Sequence, residues 1–403
     1  MGCTPWWRTR VRIGARGDGP DPLDTPEIPR KMGLGNVTVV SEGRSKGQAS
    51  PPMSAPTTAP FSTLHVVDDD RFDAHRSRGA HPERPERLAA ARAGLAGALP
   101  DARRVAVAVE DASDEALERV HGAGYVRRLR SALGEWGHLD ADTYFCPESE
   151  AAAWGAAGGA AALTRRLLAG EPDERAAGIA LLRPPGHHAR PGAAMGFCLL
   201  NNVAVAAAEA LALGAERVAI VDWDVHHGNG TQEIFWEDPR VLFVSLHQYP
   251  HYPGTGAPSE IGAGAGRGKT INLALPAGSG PEVYGEAFRR VVLPALDEFG
   301  ADLTLVSAGF DAHARDPLAG QELDDASYGA FAGAVAGRAA RLGLMLEGGY
   351  DLQALEGSVR AVGEALLETG PELPEGTIPT AAEEAIERTR RAHAGLWRFA
   401  DEG

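Results

Sequence analysis

The sequence feature that most constrains the fold is a run of β-forming apolar residues, 218–221, which ends abruptly in two acids, two histidines and then glycines. A short apolar run followed by turn residues predicts a strand buried inside a parallel sheet. Asp222, Asp224 and His226 are spaced two residues apart, so on an extended backbone their side chains leave the same face. Carboxylate and imidazole groups that converge at a strand end suit a borderline divalent ion such as zinc. The alternative is a capped strand end with a satisfied buried acid, and the crowding of four such groups between Asp222 and His227 disfavours it.

Strands and helices alternate along the chain from residue 63 onward. This alternation predicts an α/β fold, with a single parallel β-sheet flanked by helices on both faces. Buried strands are predicted where apolar runs end in turn residues, and helices where amphipathic or alanine-rich stretches lie between them. The predicted strands cover 63–67, 104–109, 177–182, 218–222, 241–247, 270–275, 303–311 and 342–346, and the longest predicted helices cover 150–168, 282–299 and 380–399.

Four of the predicted strands end in reactive residues, and the carboxyl ends of parallel strands lie along one edge of a sheet. Asp311 ends the strand predicted at 303–311 and can therefore join Asp224 and His226. Three protein ligands with an open fourth position are typical of a catalytic zinc site rather than a structural one. The sequence therefore predicts one zinc ion per chain, bound by these three residues.

The other two strand ends carry groups suited to acid–base chemistry. His187 and His188 follow the strand at 177–182 across a Pro-Pro-Gly turn, and Tyr350 follows the last strand after two glycines. The histidine pair can move protons to and from the attacking water. A tyrosine on such a turn can donate a hydrogen bond to a developing oxyanion. Together with a metal ion, these groups indicate hydrolysis of an amide or a similar carbonyl compound.

Two other features resemble functional sites and are interpreted differently. The segment 263–270 resembles a P-loop, but a P-loop must open a helix, whereas here a predicted strand follows Lys269 almost at once. We therefore interpret this segment as a flexible loop. His313 lies two residues after Asp311 and could bind a second metal ion, but a histidine at the rim of the pocket is the simpler interpretation.

Composition argues against several functional classes. The formal net charge is −16 and no basic stripe is present, which argues against direct binding of nucleic acid. No apolar run has the length of a membrane span, and no apolar secretory segment is evident near the first residue. The three cysteines stand far apart, so no disulfide framework is predicted and a reducing cytoplasm fits. We interpret the acidic surface as a source of solubility rather than as a sign of cationic substrates.

With these residues assembled, the chain resembles the histone deacetylase family, including its bacterial amidohydrolase and acetoin-utilisation-like members. Trp223 and Asn229 look like the class II branch, since the class I branch usually has an acid at the position of Asn229. The resemblance covers roughly residues 62–370. It is carried by the motifs HPERPERL (81–88), DTYFCPES (142–149), RPPGHH (183–188), GFCLLNN (196–202), DWDVHHGNGTQ (222–232), SLHQYPHYPGTG (245–256), SAGFDAHARDPLAG (307–320) and EGGYD (347–351).

The resemblance implies an arginase/deacetylase fold and the three zinc ligands named above. It implies that His187 and His188 are the tandem general base and acid, with Tyr350 as oxyanion donor. Asp222 would orient His187, and Asn229 would stand behind His188. Because an asparagine cannot carry the charge of an aspartate, His188 is expected to be less basic than it would be beside an acid.

The resemblance also implies two further groups of residues. The family's buried potassium site, which is structural and formed largely by backbone carbonyls, matches Asp222, Asp224, His226, Ser245 and Leu246. The acyl-lysine tunnel matches Gly196, Phe197, Tyr252 and the rim residue Leu318. The family more often has Phe where Tyr252 stands, and the apolar Leu318 weakly favours acetyl-lysine peptides or neutral amides over polyamines.

The implied function is that of a zinc-dependent hydrolase that removes acetyl or related acyl groups from amides, above all from acetyl-lysine in proteins or peptides. An amidohydrolase of acetylpolyamines or other small amides is an open alternative. From another class, a catalytically silent module that binds acyl-lysine is a second alternative, although it would need neither a base nor an oxyanion donor. We expect a cytoplasmic protein that contacts neither nucleic acid nor membrane, and a homo-oligomer stays open.

The chain is expected to divide into three parts. Residues 1–62 are rich in Gly, Pro, Ser, Thr and Arg without apolar periodicity, and are predicted to be a disordered extension. Residues 63–370 are expected to form the catalytic domain, and residues 371–403 a C-terminal helical segment.

Overall fold

The computed structural model describes residues 61–170, 174–368 and 370–399. The extension predicted to be disordered, residues 1–62, lies outside the described residues except for Phe61 and Ser62. Phe61 is buried, and its backbone N–H donates to the carbonyl of Leu366 at 3.0 Å. The packed part of the chain therefore includes Phe61, two residues before the predicted start of the domain.

The described chain contains a large parallel sheet and a small antiparallel pair of strands. The strands are β1 (Leu64–Val67), β2 (Arg104–Val107), β3 (Gly137–His138), β4 (Tyr144–Phe145), β5 (Ala176–Ala180), β6 (Val218–Asp222), β7 (Val241–Gln248), β8 (Thr270–Leu275), β9 (Leu303–Ala308) and β10 (Arg341–Leu346). The large sheet has eight strands in the order β2-β1-β5-β10-β9-β6-β7-β8, and every neighbouring pair in it is parallel. Strands β3 and β4 pair with each other.

The burial of the strands reflects their apolar sequences. Every residue of β6, β8 and β9 is buried, although successive side chains point to opposite faces of a sheet. Both faces of the sheet are therefore covered from its centre to the edge formed by β8. The edge strand β2 instead alternates between exposed and half-buried residues. The predicted α/β fold, with one parallel sheet flanked by helices, is confirmed.

Helices occupy most of the connections between the strands, and two more follow the last strand. They are α1 (Glu86–Ala98), α2 (Asp114–Glu118), α3 (Ala123–Ala132), α4 (Ser149–Leu168), α5 (Asn202–Ala212), α6 (Asn229–Ile234), α7 (Pro281–Ala287), α8 (Leu293–Phe299), α9 (Asp325–Ala336), α10 (Leu352–Leu367) and α11 (Thr380–Ala392). Within the residues that the structure describes, none of these helices is long and apolar enough to cross a membrane.

Two predicted helices differ from the observed ones. The helix predicted at 282–299 is α7 and α8 joined by a π-helical turn, Phe288–Val292. Pro294 explains the wider turn, because a proline lacks the N–H that an α-helix needs and its ring clashes with the carbonyl four residues earlier. The helix predicted at 380–399 ends at Ala392, because Gly395 has a φ of 77° and turns the chain.

The residues after α11 pack against the segment that resembles a P-loop. Trp397 donates its indole N–H to the carbonyl of Gly268 at 2.6 Å. The Nζ of Lys269 lies 4.5 Å from the centre of the Trp397 ring and 5.2 Å from that of Phe299. Strand β8 begins at Thr270, directly after Lys269. Lys269 therefore packs against two aromatic rings and is followed by a strand rather than a helix. Both observations agree with the interpretation of the segment as a loop and not a P-loop.

Candidate metal and catalytic site

The candidate site lies at the carboxyl ends of four strands that are consecutive in the sheet: β5, β10, β9 and β6. Strands β9 and β10 come last in the chain but lie between β5 and β6, so loops distant in sequence meet at one edge. The residues carried by these four strand ends are His187 and His188 after β5, Asp224 and His226 after β6, Asp311 after β9 and Tyr350 after β10.

Asp224, His226 and Asp311 form a compact buried cluster. One ligand atom from each of them lies within 4.8 Å of the others. The Nδ1 atom of His226 is 3.1 Å from Asp224 Oδ1 and 3.2 Å from Asp311 Oδ2. Asp311 lies three residues beyond the end of β9, in the loop rather than on the strand. The structure thus brings together the three residues predicted to bind the metal ion.

Backbone groups hold both carboxylates in place. The N–H of Val225 donates to Asp311 Oδ1 at 2.8 Å, and the N–H of Gly348 donates to Asp224 Oδ2 at 2.8 Å. A Cβ atom at Gly348 would lie 2.1 Å from Asp311 Oδ2, so only glycine allows this approach of the backbone to the cluster. Gly348, the first of the two glycines that precede Tyr350, is therefore needed for the geometry of the site.

The charges of the cluster fit a bound cation. Burial opposes a charge on His226, but hydrogen bonds to Asp224 and Asp311 raise its pKa to about 10. Burial and the nearby charge of Asp224 raise the pKa of Asp311. Two buried carboxylates thus stabilise positive charge between them, and a metal ion can replace the imidazole proton. One nitrogen and two oxygen donors form a set that zinc accepts.

The histidine pair lies beside the cluster, and each imidazole has a different partner. His187 Nδ1 is 3.0 Å from Asp222 Oδ2, and His188 Nδ1 is 2.8 Å from Asn229 Oδ1. The two ring centres are 4.1 Å apart. His187 Nε2 lies 3.7 Å from Asp224 Oδ1. The oxygen of each partner accepts a hydrogen bond from the Nδ1–H of its imidazole. Each neutral ring therefore leaves its Nε2 atom free to take a proton.

These partners give the two histidines different basicities. Burial alone would lower the pKa of His187, but the Asp224 and Asp222 carboxylates outweigh it and hold the pKa well above its usual value. Burial lowers the pKa of His188 well below its usual value, and the neighbouring His187 and His226 lower it further. The amide of Asn229 supplies no charge to oppose this, and its Nδ2 donates to Met195 Sδ at 3.3 Å.

Tyr350 stands on the turn that follows β10. Its ring lies 4.9 Å from the guanidinium carbon of Arg87 and makes an edge contact with Phe197 at 5.9 Å between centres. Burial raises the pKa of the Tyr350 phenol well above its usual value. The hydroxyl therefore stays protonated at neutral pH and can serve as a hydrogen-bond donor.

The residues predicted to form the tunnel surround these groups. The ring of Tyr252 makes edge contacts with His188 at 5.2 Å and with His226 at 6.0 Å. The half-buried Phe197 reaches Tyr350, as described above. A Cβ atom at Gly196 would lie 2.4 Å from the His188 ring. Aromatic rings thus lie beside both the histidine pair and Tyr350.

Leu318 lies at the rim of the site, where it is half-buried. Its backbone carbonyl is 3.1 Å from His251 Nε2. The ring of His251 in turn stacks on that of His226, with centres 5.2 Å apart and planes 20° apart. The sequence singled out Leu318 but gave His251 no role. This imidazole connects the rim to a residue predicted to bind the metal ion.

The five residues predicted to form a potassium site lie next to the metal cluster. Asp222 pairs with Ser245 across β6 and β7, and Leu246 follows in β7. All three are fully buried. The Oγ atom of Ser245 is 2.9 Å from His247 Nδ1. The structure brings the set together with Asp224 and His226, and its potassium-binding role stays a prediction.

His313 does not join the metal cluster. Its Nε2 lies 3.5 Å from Asp325 Oδ1 in α9, and its Nδ1 accepts the N–H of Arg315 at 3.0 Å. Among the residues that the structure describes, the grouping suited to a metal ion is Asp224, His226 and Asp311. The structure thus places His313 outside the metal cluster, and its position at the rim of the pocket stays a prediction.

Charged residues that the sequence did not reveal support the loops of the candidate site. Arg87 is fully buried and donates from Nε to the carbonyl of Gly349 at 2.6 Å. Glu83, also fully buried, accepts from Arg87 Nη1 at 3.2 Å and from Arg183 Nη2 at 2.8 Å. Glu347 Oε2 accepts the N–H of His187 at 3.1 Å. The only signal for Glu83 and Arg87 was their place in the HPERPERL motif.

Comparison with known proteins places these residues in a wider context. The family described as the histone deacetylase domain matches residues 81–366. Histone deacetylase 15 of Arabidopsis thaliana is 42% identical over 314 residues, which are 75% of this chain and 56% of that protein. A probable deacetylase of Archaeoglobus fulgidus is 40% identical over 295 residues, which are 72% of this chain and 81% of that protein.

Two further matches include a solved structure. The histone deacetylase-like amidohydrolase of Pseudomonas aeruginosa is 45% identical over 248 residues, which are 59% of this chain and 64% of that protein. The crystal structure of the HDA15 HD domain superposes with a TM-score of 0.77 and 38% identity, covering 83% of this chain and 97% of that one. The chain thus matches nearly all of that domain, but little more than half the length of histone deacetylase 15 of Arabidopsis thaliana.

Proposed function

Because the chain belongs to the histone deacetylase family, a family of hydrolases, we propose that it is a zinc-dependent deacetylase that releases acetyl or related acyl groups from lysine side chains. The observation that carries the proposal is the meeting of three groups at one sheet edge. These are the buried cluster of Asp224, His226 and Asp311, the tandem histidines and the phenol of Tyr350.

The metal ligands would be Asp224, His226 and Asp311, whose donor atoms suit zinc. When bound, zinc supplies Lewis acidity, which polarises the acyl carbonyl and makes the attacking water more acidic. Its positive charge would also offset the carboxylate of Asp224, which otherwise raises the pKa of His187.

Proton transfer falls to the two imidazoles. Each holds a proton on Nδ1 toward its partner and offers Nε2 as the reactive nitrogen. Asp222 stabilises the charged form of His187, whereas Asn229 orients His188 without stabilising its charged form to the same degree. The pair can thus remove a proton from water and return one to the leaving amine, and loss of such a group typically costs about 10²–10⁴ in rate.

Tyr350 and the aromatic side chains of Phe197 and Tyr252 complete the proposed site. The protonated phenol of Tyr350 would donate a hydrogen bond to the carbonyl oxygen as negative charge develops there. Phe197 and Tyr252 would pack along the apolar stem of an acyl-lysine side chain and exclude water around the reacting carbonyl.

A second candidate substrate class is small acetylated amides, including acetylpolyamines. The similarity to a protein named as a histone deacetylase-like amidohydrolase favours it. The apolar side chain of Leu318 at the rim favours acetyl-lysine peptides instead, since it offers no charge to a polyamine. The two candidates share the same reaction at the metal site and differ only in what the rim must accept.

A substrate panel tests the proposal. Purified full-length protein, with zinc supplied, is assayed for acetate release from acetyl-lysine peptides, acetylpolyamines and short esters. We expect the highest kcat/KM on acetyl-lysine peptides. A higher value on acetylpolyamines would assign the second class. Protein that binds the peptides but releases no acetate from any member of the panel would identify a binding module and contradict the proposal.

A further inference from the structure

The turn that carries Tyr350 leaves the sheet in a conformation that requires glycine. Gly349 has a φ of 115°, and a Cβ atom there would lie 2.9 Å from Phe310 Cβ. The pairing of β10 with β9 ends at Leu346, so the N–H groups of this turn do not take part in the hydrogen bonds of the sheet. Since buried N–H groups need acceptors, other parts of the chain must supply them.

Side-chain carboxylates supply these acceptors. The N–H of Gly348 donates to Asp224, which belongs to the metal cluster. The N–H groups of Tyr350 and Asp351 donate to one oxygen of Asp316, at 2.6 Å and at 3.3 Å. Asp316 therefore holds the backbone of the residue whose side chain is the proposed oxyanion donor.

The other oxygen of Asp316 fixes a second part of the site. Its Oδ1 atom accepts the N–H of Leu318 at 3.0 Å. Leu318 is the rim residue whose carbonyl lies against His251. Asp316 is only 7% exposed, and its own N–H donates to the carbonyl of His313 at 2.9 Å. One buried carboxylate thus joins the Tyr350 turn to the rim of the site.

We propose that Asp316 is a positioning residue that fixes the Tyr350 turn against the Leu318 rim and thereby aims the Tyr350 phenol at the substrate carbonyl. This inference rests on the proposed function, in which Tyr350 is the oxyanion donor. It adds a residue that does not touch the substrate but determines how well the donor is placed.

The geometry requires a carboxylate at position 316 rather than an amide. Three N–H groups donate to its two oxygens, with Leu318 on one oxygen and Tyr350 on the other. Asparagine has a single carbonyl oxygen, so its NH₂ group would face either the Leu318 N–H or the Tyr350 N–H. Asp316→Asn therefore keeps the side-chain shape but breaks one of the two connections.

Steady-state kinetics on a fluorogenic acetyl-lysine peptide test the inference in the full-length, zinc-loaded protein. Because a small misplacement of a catalytic group can cost about 10²-fold, we expect Asp316→Asn to lower kcat by about 10–100-fold. KM should change far less. In a Tyr350→Phe background the same substitution should lower kcat little further, since the group that it positions is already absent. Additive losses, or an unchanged kcat in the single variant, would overturn the inference.

The control is Asp302→Ala. Asp302 Oδ2 also accepts two backbone N–H groups, from Glu216 at 2.7 Å and Arg217 at 2.9 Å, but at the opposite end of strands β6 and β9. Alanine removes both hydrogen bonds, so this variant should lose thermal stability as Asp316→Asn does while it keeps kcat. An equal loss of kcat in the control would show that Asp316 acts through general stability alone.

Amide hydrogen exchange provides a readout that does not depend on activity. Exchange at the N–H of Tyr350 or at that of Leu318 should be faster in Asp316→Asn than in the wild-type protein, and unchanged at both in Asp302→Ala. Unchanged exchange at both N–H groups in Asp316→Asn would overturn the inference. Wild-type protein that releases no acetate would contradict the proposed function instead, and the exchange rates would then decide alone whether Asp316 holds the turn.

Discussion

The hydroxyl of Tyr350 is the proposed catalytic group that can be removed with the least disturbance of its surroundings. The Tyr350 ring rests against Arg87 and Phe197, and phenylalanine would keep both contacts. Loss of one oxyanion donor typically costs about 10²–10³ in turnover, or roughly 2.7–4 kcal/mol. We expect Tyr350→Phe to lower kcat by this factor. The affinity of the Tyr350→Phe variant for an acetyl-lysine peptide, measured by displacement of a reporter ligand, should stay within about a factor of ten of the wild-type affinity.

Tyr125→Phe is the control for that substitution. Tyr125 also buries a hydroxyl, which donates to the carbonyl of Leu199 at 2.6 Å. Its removal should lower the melting temperature without a collapse of turnover. Equal turnover in wild type and Tyr350→Phe would remove Tyr350 from the mechanism.

At the scale of residues, the sequence predicts side chains whose chemistry is distinctive, such as metal ligands. It misses side chains that act by hydrogen bonding to backbone groups remote in sequence. Asp224 and His226 were predicted from a spacing that assumed an extended backbone. Strand β6 ends at Asp222, before both residues, but the structure still brings them to Asp311. The contacts of Asp316 could not be predicted, because Asp316-Pro317 is typical of any turn and its partner Tyr350 is 34 residues away. Arg87, whose partner Gly349 is 262 residues away, was missed for the same reason.

At the scale of elements, the apolar runs were sufficient to predict the strands of the large sheet and their parallel arrangement. Their spatial order was not predicted, because the insertion of β9 and β10 between β5 and β6 depends on contacts between remote segments. That insertion nevertheless decides the site, since it makes the four reactive strand ends consecutive. The π-helical turn at Phe288–Val292 was also missed, because periodicity alone does not register a local widening of a helix.

The loop after β9 carries two candidate ligands, and metal analysis can separate them. Asp311 belongs to the buried cluster, whereas His313 faces Asp325. We expect purified protein to hold about one zinc ion per chain. Asp311→Ala should lose it, because two ligands bind far more weakly than three, and His313→Ala should retain it. Two ions per chain, with one lost in His313→Ala, would overturn the assignment.

At the scale of the whole molecule, the N-terminal extension is expected to be dispensable. Its composition lacks the apolar residues that joining a core would need. We expect deletion of residues 1–60 to leave the melting temperature and the turnover unchanged. A large drop in melting temperature for the truncated protein would show that the extension packs against the domain.

Phe61 sets the limit of that deletion and provides its control. The Phe61 side chain is 3% exposed and lies against the guanidinium of Arg175, and its carbonyl accepts from Arg103 Nη2 at 2.6 Å. Phe61→Ala in the truncated protein should cost about 3 kcal/mol, at the lower end of the range for buried phenylalanine. Chemical denaturation of both proteins measures the difference. An unchanged free energy of unfolding would show that Phe61 contributes nothing to the core.

Histidines that are buried as neutral groups, far from the site as well as within it, should each make the fold less stable in mild acid. Burial lowers the pKa of His75 to about 3 and those of His121 and His247 to about 4, from an ordinary value of 6.5. At these three histidines the unfolded chain therefore binds more protons than the folded chain between pH 6.5 and about pH 4. The contribution of these groups to stability is complete above pH 6.5 and is lost as the pH falls through that window.

His121 allows this dependence to be measured at one residue. It is 1% exposed, its Nδ1 lies 3.0 Å from the carbonyl of Arg190, and its Nε2 accepts the N–H of Asn201 at 3.0 Å. A pKa lowered to about 4 corresponds to a loss of about 2 kcal/mol at about pH 5 relative to neutral pH. Urea denaturation at both pH values should show a smaller loss in His121→Gln, because glutamine does not titrate, whatever stability the variant has at neutral pH. His138→Gln, which replaces an exposed histidine, should lose as much as wild type. The same loss in His121→Gln as in wild type would show that His121 is not a source of the acid sensitivity.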